Sequence, residues 1–394
     1  MVPVRKLDQE WTLPSGQSAR IRPARVEDCD PLRGLYFATY GDRYGLSEVA
    51  DPEEARRTLS SENFVWLLAE VEGEVAASVI FAIEPRHRLG KTFGGVVHPR
   101  CRGQKIMDFM LRLGMKQLLV EGGPFDLLYA VVRTFISLHF HNDLKEMGFV
   151  DVGVFPNVRK VQRYETHGLK VMLSPEALKK RRKSPRLIPQ AHTLYEIVRS
   201  RLGFEAPRIE PIRLPPPGPD RIELSVRKDA AGLEKVDFLY RTTRRMDYDF
   251  FPLSRPNLVL ADAQSKIRAF LNFQEKDGHA AVLGITTGGA DRVEVLLSVG
   301  DACEALGVVY LELLVPAYDP LLQAQAYQAG FLPCAYFPAA CLAPDGKRHD
   351  YLITSKTFVP LHFRGLRLTE DSKPYLLEFF KLYTSSLWEE LMDA

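Results

Sequence analysis

Apolar positions recur at two spacings along the first half of this chain, and the change of period marks its elements. After a poorly patterned lead-in over 1–18, Arg20-Ile21-Arg22-Pro23-Ala24 reads as a first strand, and Val26-Glu27-Asp28 opens a helix that reaches Tyr40. Phe64 to Val71 and Val75 to Ile83 read as two strands joined at Glu72-Gly73, a strong hairpin signal. A looser turn over 84–90 leads into a short β-rich run from Lys91. Phe109, Met110, Leu113, Met115, Leu118 and Leu119 then recur at helical spacing, so a long helix buries a broad face. Gly122-Gly123-Pro124 stops it. Leu127 to Val132 follows as a buried strand, and Ser137 to Met147 as a helix ended by Gly148.

The second half repeats the pattern. Asn257 to Ala261, Lys266 to Phe273 and Ala280 to Ile285 read as strands, with a hairpin turn at Asp277-Gly278. Val293 to Leu306 is a helix, Val308 to Val315 a strand, and Asp319-Pro320 caps and opens a helix to Ala329. Gly148-Phe149 with Phe155-Pro156 is echoed by Gly330-Phe331 with Phe337-Pro338, at the same internal spacing. A unit of about 180 residues means a duplicated domain, not a solenoid. Between the copies, Ser174-Pro175-Glu176 starts a short helix that runs into six basic residues in the eight from Lys179 to Arg186. That run is expected as a solvated helix end beside the C-terminal dipole, with a nucleic-acid or anionic-surface role as the alternative, and Leu214 to Pro219 (LPPPGP) as a stiff spacer. The expected organisation is an N-terminal domain over 1–172, a basic and Pro-rich linker over 173–219, and a C-terminal domain over 220–394. Tyr375 to Trp388 reads as a closing amphipathic helix.

Composition narrows the classes. With 46% hydrophobic and 26% charged residues in 394, the chain is of ordinary globular type and long enough for two cores. A net charge of +2 argues against a nucleic-acid partner. No apolar run approaches the ~20 residues of a membrane span, and no signal peptide is recognisable. Five scattered cysteines without a Cys-x-x-Cys pair fit a reduced, cytoplasmic chain. His139 and His141, two apart on a helix, point to opposite faces and cannot share one metal ion, so no metal site is expected.

The candidate chemistry lies at the start of the long helix, in Arg100-Cys101-Arg102-Gly103-Gln104-Lys105. Free N–H groups and the positive end of the helix dipole make such a place an anion site. Val97-His98-Pro99-Arg100-Cys101-Arg102-Gly103 resembles the Val-x-Pro-x-x-Arg-Gly segment of the GCN5-related N-acetyltransferases (GNATs), whose loop amides grip the pyrophosphate of acetyl-CoA. The opening Ile21-Arg22-Pro23-Ala24, followed by Asp28, and the closing Gly148-Phe149 are similar to the same family. The resemblance covers most of 19–165, and 221–340 more faintly. It implies an α/β (α+β) fold of two tandem acyl-CoA N-acyltransferase units, each a mixed, mostly antiparallel sheet flanked by helices. It also implies acetyl-CoA, or another acyl-CoA, bound by Val96, Val97, His98, Arg100, Cys101, Arg102, Gly103, Gln104, Lys105 and Ile106. Backbone hydrogen bonds near Val96–His98 would meet the oxyanion as an amine attacks the thioester.

Departures from the family pattern are specific. Lys105 and Met107 stand on two positions that are small in the usual loop, and Leu144 stands where many members carry a tyrosine acid. A negative φ at Lys105 would keep its N–H available. His98, then Tyr129 and Ser137, are the titratable or hydroxyl candidates for catalysis, a structural histidine at a strand end being the alternative for His98. Tyr36, Tyr40 and Tyr44 are acceptor-side candidates, with plain packing as the alternative. In the second copy, Thr286-Thr287-Gly288-Gly289-Ala290-Asp291 replaces the Arg-Gly loop, brings no basic residue before Arg292, and reads as degenerate. The expected activity is N-acetyl transfer to an unidentified amine, small molecule or protein, with homo-oligomerisation left open. A non-catalytic acyl-CoA sensor, an aminoacyl-transferase of the tandem type with a tRNA partner, and a structural module remain alternatives.

Overall fold

The computed structural model describes residues 4–41, 46–120, 122–134, 138–160, 164–227 and 232–393. In chain order the elements begin with β1 (Gln9–Thr12), β2 (Ser18–Pro23), α1 (Cys29–Tyr40), α2 (Ser47–Ala50) and α3 (Pro52–Ser60). There follow β3 (Phe64–Val71), β4 (Glu74–Glu84), β5 (Leu89–Val97), α4 (Ile106–Met115), β6 (Leu127–Arg133) and α5 (Leu138–Glu146). Next come β7 (Val150–Lys160), β8 (Tyr164–Leu173), α6 (Pro175–Lys180), β9 (Arg186–Leu187), α7 (Pro189–Leu202), β10 (Arg208–Ile209) and β11 (Ser225–Val226). The rest are α8 (Leu233–Thr242), β12 (Leu258–Ala261), β13 (Arg268–Gln274), β14 (His279–Thr286), α9 (Arg292–Ala305), β15 (Tyr310–Pro316), α10 (Pro320–Gln328), β16 (Leu332–Leu342), β17 (Arg348–Thr357) and α11 (Lys373–Asp393). From β2 and again from β11, a strand leads into helix (α1 to α3 in the first run, α8 alone in the second), and three strands, a helix, a strand, a helix and two strands follow. It is a mixed α/β fold with largely antiparallel strands and flanking helices.

By packing, the chain forms two compact units. The first is Met1–Val131 with Asp143–Phe149 and Val171–Lys179; the second is Val132–Asn142 with Val150–Lys170 and Lys180–Ala394. In the first unit β1 to β5 pair antiparallel in sequence order, and β6 joins β5 in parallel. Glu72 and Gly73 both take positive φ, 54° and 82°, the turn geometry that a two-residue hairpin needs. Met110, Leu113, Met115, Leu118 and Leu119 are buried as their spacing predicts, and α4 continues into a π turn over Lys116–Val120. Phe109 lies half-buried under Trp11, the rings stacked at 4.4 Å. That contact gives order to the lead-in, which carries β1 although its pattern is poor.

The second unit has β11 to β14 antiparallel, β15 parallel to β14, and β17 and β16 following antiparallel. β7 joins it at Gly153 opposite Ala335. Helix α11 packs on β7 and β16. Its entry is fixed by Ser372, which donates to Asp151 Oδ1 at 2.8 Å, and by Tyr375, which donates to the Asp151 carbonyl at 2.7 Å. Asp151 is itself paired with Lys170, a lysine with no exposed surface.

The segment expected as linker is largely packed. Ala191, Leu194, Tyr195 and Val198 on α7 are buried. The solvated end expected for the basic run fails at Arg181. That side chain is 3% exposed and forks onto the fully buried Asp350, Nη2 to Oδ2 at 2.6 Å. Asp350 also accepts from the Tyr336 hydroxyl and from the Ala339 N–H at 2.8 Å. Among the described residues, no helix is long and apolar enough to cross a membrane.

Candidate functional site

In the first unit, β5 leaves β6. The two pair in parallel only from Leu89–Thr92 against Leu127–Ala130. On its other edge, the register of β5 against β4 shifts between Ser78 and Ile80, so Gly94 and Gly95 form a bulge. Gly94 sits at φ +65°, and a Cβ there would meet Ile80 and the Tyr36 hydroxyl at 3.2 Å. Glycine alone takes that position at little cost.

Buried hydroxyls hold the bulge. Trp66 Nε1 donates to Ser78 Oγ at 2.6 Å, the Ser78 and Tyr36 hydroxyls lie 3.1 Å apart, and Tyr36 donates to the Gly94 carbonyl. Burial pushes the Tyr36 hydroxyl well above the ordinary tyrosine range, so it stays protonated and donating. At 1% exposure it shapes the strand and does not face an acceptor, which realises its packing alternative. Tyr40 is 41% exposed, its hydroxyl 3.4 Å from the Gly95 carbonyl. Tyr44 and Ser137 lie outside the described residues.

The amides after the bulge are divided. His98 N–H donates to the Ala76 carbonyl at 2.8 Å. Antiparallel alternation then turns the Val96 amide toward β4 and the Val97 amide away from it, to the side that β6 has left. Of the backbone N–H groups near Val96–His98, that of Val97 is the one turned to this side. His98 Nδ1 accepts from Arg100 N–H at 3.3 Å and caps a short 3-10 turn over Pro99–Cys101, a structural use of the ring.

Within the loop, Cys101 and Ile106 are buried, and Arg100 makes an exposed ion pair with Glu74, whose carboxyl that bond holds below its usual range. Arg102 Nε lies 3.4 Å from the Val97 carbonyl, and Gln104 Oε1 accepts from Ser15 N–H at 3.1 Å. Gly103 is at φ +78° with nothing near its Cβ position. Lys105 departs from expectation: its φ is +57°, left-handed, at the N-cap of α4 with no side-chain cap bond. A β-carbon strains that conformation, so the small residue of the usual loop has a backbone reason as well as a steric one. Met107 Sδ and Cε stand 3.5 Å from where a Gly95 Cβ would be, so this side chain lies against the bulge.

Tyr129 is buried opposite Lys91, where β5 and β6 are still paired, with Lys91 Nζ 5.9 Å from its ring centre. Leu144 is buried and offers no proton. His139 is exposed and His141 buried, on opposite sides of α5. The Gly94-Gly95 pair was the legible but unread signal, since paired glycines inside a strand mark a bulge.

In the second unit, the loop after β14 closes on its own carboxylates. Asp291 accepts from the Val293 and Glu294 amides at 2.8 and 3.2 Å, and Asp247 from the Thr287 amide and hydroxyl at 2.7 and 2.8 Å. The loop itself carries no basic residue before Arg292, but cations from other stretches stand beside it. Arg244, Arg245, Lys266 and Arg268 line a cavity with Thr287, Gly288 and Gly289.

No family pattern and no curated protein matches this chain. Solved structures similar to it are acetyltransferases. A GNAT-family acetyltransferase from Streptococcus pneumoniae is 20% identical over 39% of this chain and 99% of its own, with a TM-score of 0.35. A ribosomal-protein-S5-alanine acetyltransferase from Vibrio fischeri is 15% identical over 43% and 98%, TM-score 0.35. A ribosomal L7/L12 alpha-N-protein acetyltransferase in complex with coenzyme A is 17% identical over 44% and 97%, TM-score 0.35. Identities this low speak to fold alone.

Proposed function

We propose that the N-terminal half (1–172) binds acetyl-CoA, or another acyl-CoA, and transfers its acyl group to an amine. The observation that carries the reading is the conjunction at the end of β5. The strand bulges at Gly94-Gly95, parts from β6, and runs directly into the Arg102-Gly103 loop that opens α4. The parted strands leave a slot for an extended thioester, and the loop with the α4 N-terminus offers a place for its phosphates. The neutral amine attacks the thioester carbonyl and the Val97 N–H meets the developing oxyanion; collapse breaks the C–S bond and expels the CoA thiolate, and the proton lost by the amine nitrogen passes through solvent to that thiolate. Exposed Tyr40 stands on the acceptor side. Five thiols without a disulfide agree with a cytoplasmic setting, and no membrane or nucleic acid enters the reading.

Calorimetry on the full chain is expected to find an acetyl-CoA site that Lys105→Glu weakens about tenfold or more. A charge at a helix N-terminus is worth about 1 kcal/mol, and the reversal adds repulsion to lost attraction, against 1.4 kcal/mol per decade of Kd. Lys105→Gly should change Kd far less and raise stability by up to about 1 kcal/mol, since glycine takes φ +57° without strain. The reading is abandoned if no acyl-CoA binds, or if Lys105→Glu leaves its Kd unchanged.

Met107 against the bulge favours a second reading, an acyl-CoA-binding protein without turnover. Binding with no product on a panel of amines, by mass spectrometry, would select it.

A further inference from the structure

The cavity in the second unit has a volume of about 760 Å³ and draws its walls from three separate stretches of chain. Arg244 and Arg245 come from the segment after α8, Lys266 and Arg268 from the β12–β13 connection and the first residue of β13, and Gly288 and Gly289 from the loop after β14. Elsewhere in this unit basic side chains are commonly paired, as Arg181 is with Asp350, Arg186 with Glu210, Arg199 with Glu196 and Arg241 with Asp237. None of the four cavity cations makes an ion pair with a described residue. The Arg268 Nε is buried with no hydrogen-bond partner. The one carboxylate in the lining, Asp247, is already committed to the Thr287 amide and hydroxyl.

Like charges gathered around one open pocket, three of them exposed, raise its positive potential and draw an anion to it, an attraction that salt weakens. We propose that this cavity binds a small polyphosphorylated molecule through Arg244, Arg245, Lys266 and Arg268. Four cations around one space match several negative charges on one ligand; a single monoanion would leave most of them uncompensated. Guanidinium groups fork onto phosphate oxygens in two parallel bonds, and lysine adds a point charge. Gly289, at φ +93° with open space where a Cβ would be, presents backbone without a side chain to an approaching ligand, while Gly288, at φ +59°, packs against Lys266. Recognition here is by side chains. The α9 N-terminus is capped by Asp291 and leaves its first amides no part in it. The proposal stands apart from the acyl-CoA reading of the first unit.

A nucleotide's phosphate chain and inorganic polyphosphate share this chemistry, and the test separates them. Inorganic tripolyphosphate, ATP and, as a carboxylate control, citrate are titrated into the full chain at two salt concentrations. The arms are the wild type, Arg244→Gln/Lys266→Gln and, as a charge control outside the cavity, Lys276→Gln. Both substituted cavity residues are exposed, so the double variant should fold, which circular dichroism checks. Tripolyphosphate should bind, more weakly at higher salt, and the double variant should lose at least tenfold while Lys276→Gln, an exposed lysine outside the cavity, loses nothing. ATP binding tighter than tripolyphosphate would identify a nucleotide site, and the reverse an inorganic chain; either supports the proposal. It is overturned if tripolyphosphate does not bind at millimolar concentration, if citrate binds as well, or if the double variant binds as the wild type does.

Discussion

Asp350→Ala is expected to cost about 3–5 kcal/mol, the range for stranding one partner of a buried ion pair. Asp350 has no exposed surface and receives Arg181 through Nε and Nη2, the Tyr336 hydroxyl and the Ala339 amide. Without it, Arg181 keeps the Tyr195 hydroxyl at 3.3 Å and, for a counter-charge, Glu205 at 3.1 Å, a carboxylate itself 31% exposed and therefore weaker. Tyr336 and the Ala339 N–H lose their acceptor as well, each a desolvated donor that water cannot easily reach. Thermal unfolding should shift down by on the order of 10 °C for a unit of this size. The double variant Arg181→Met/Asp350→Leu should recover most of the loss, because it removes the charges together and leaves apolar volume behind. A single-variant loss below about 1 kcal/mol would mean that water reaches Arg181.

What the sequence made legible follows from which residues carry a local signal. The hairpin at Glu72-Gly73, the burial of Met110 through Leu119 and the caps at Asp319 and Gly148 depend on neighbours a few residues away. The strands β7, β8, β16 and β17 went unassigned for a physical reason. They are covered on both faces, so no alternation appears, and they hold residues that usually interrupt strands, such as Gly153 and Pro156. Lys170 and Asp151, charged residues far apart in sequence, are a buried pair that no local pattern announces. Arg181 was likewise hidden in a run of charges of which it is the buried member.

The candidate site divides the same way. The Arg-Gly loop is contiguous and could be read from its residues. Its conformation could not: nothing in the sequence announces that Lys105 takes a positive φ, or that Tyr36 spends its hydroxyl on Gly94. The cation-lined cavity is assembled from three stretches, each unremarkable alone, and folding is what brings them together.

Gly153→Ala should destabilise by about 2–3 kcal/mol, at the upper end for one added methyl in a packed interior. A Cβ on Gly153 would stand 2.0 Å from the Ala335 Cβ, 2.4 Å from its Cα and 2.8 Å from the Cys334 carbonyl. These are backbone and first side-chain atoms, which cannot rotate away, so β7 and β16 must separate where they pair. Asp151, two residues away, anchors Tyr375 and Ser372, so a displaced β7 also loosens α11. The two facing residues hold corresponding places in the internal repeat, each five residues after its Gly-Phe glycine and two before its Phe-Pro. Strand pairing therefore sets the two corresponding positions face to face, with room for one methyl and not two. That facing pair supplies the decisive control. Moving the methyl across, with Gly153→Ala and Ala335→Gly in one chain, should restore most of the lost stability in a double-mutant cycle by urea unfolding. If the swapped chain is no more stable than Gly153→Ala alone, crowding between the two methyls is not the cause, and the glycine serves the β7 backbone itself.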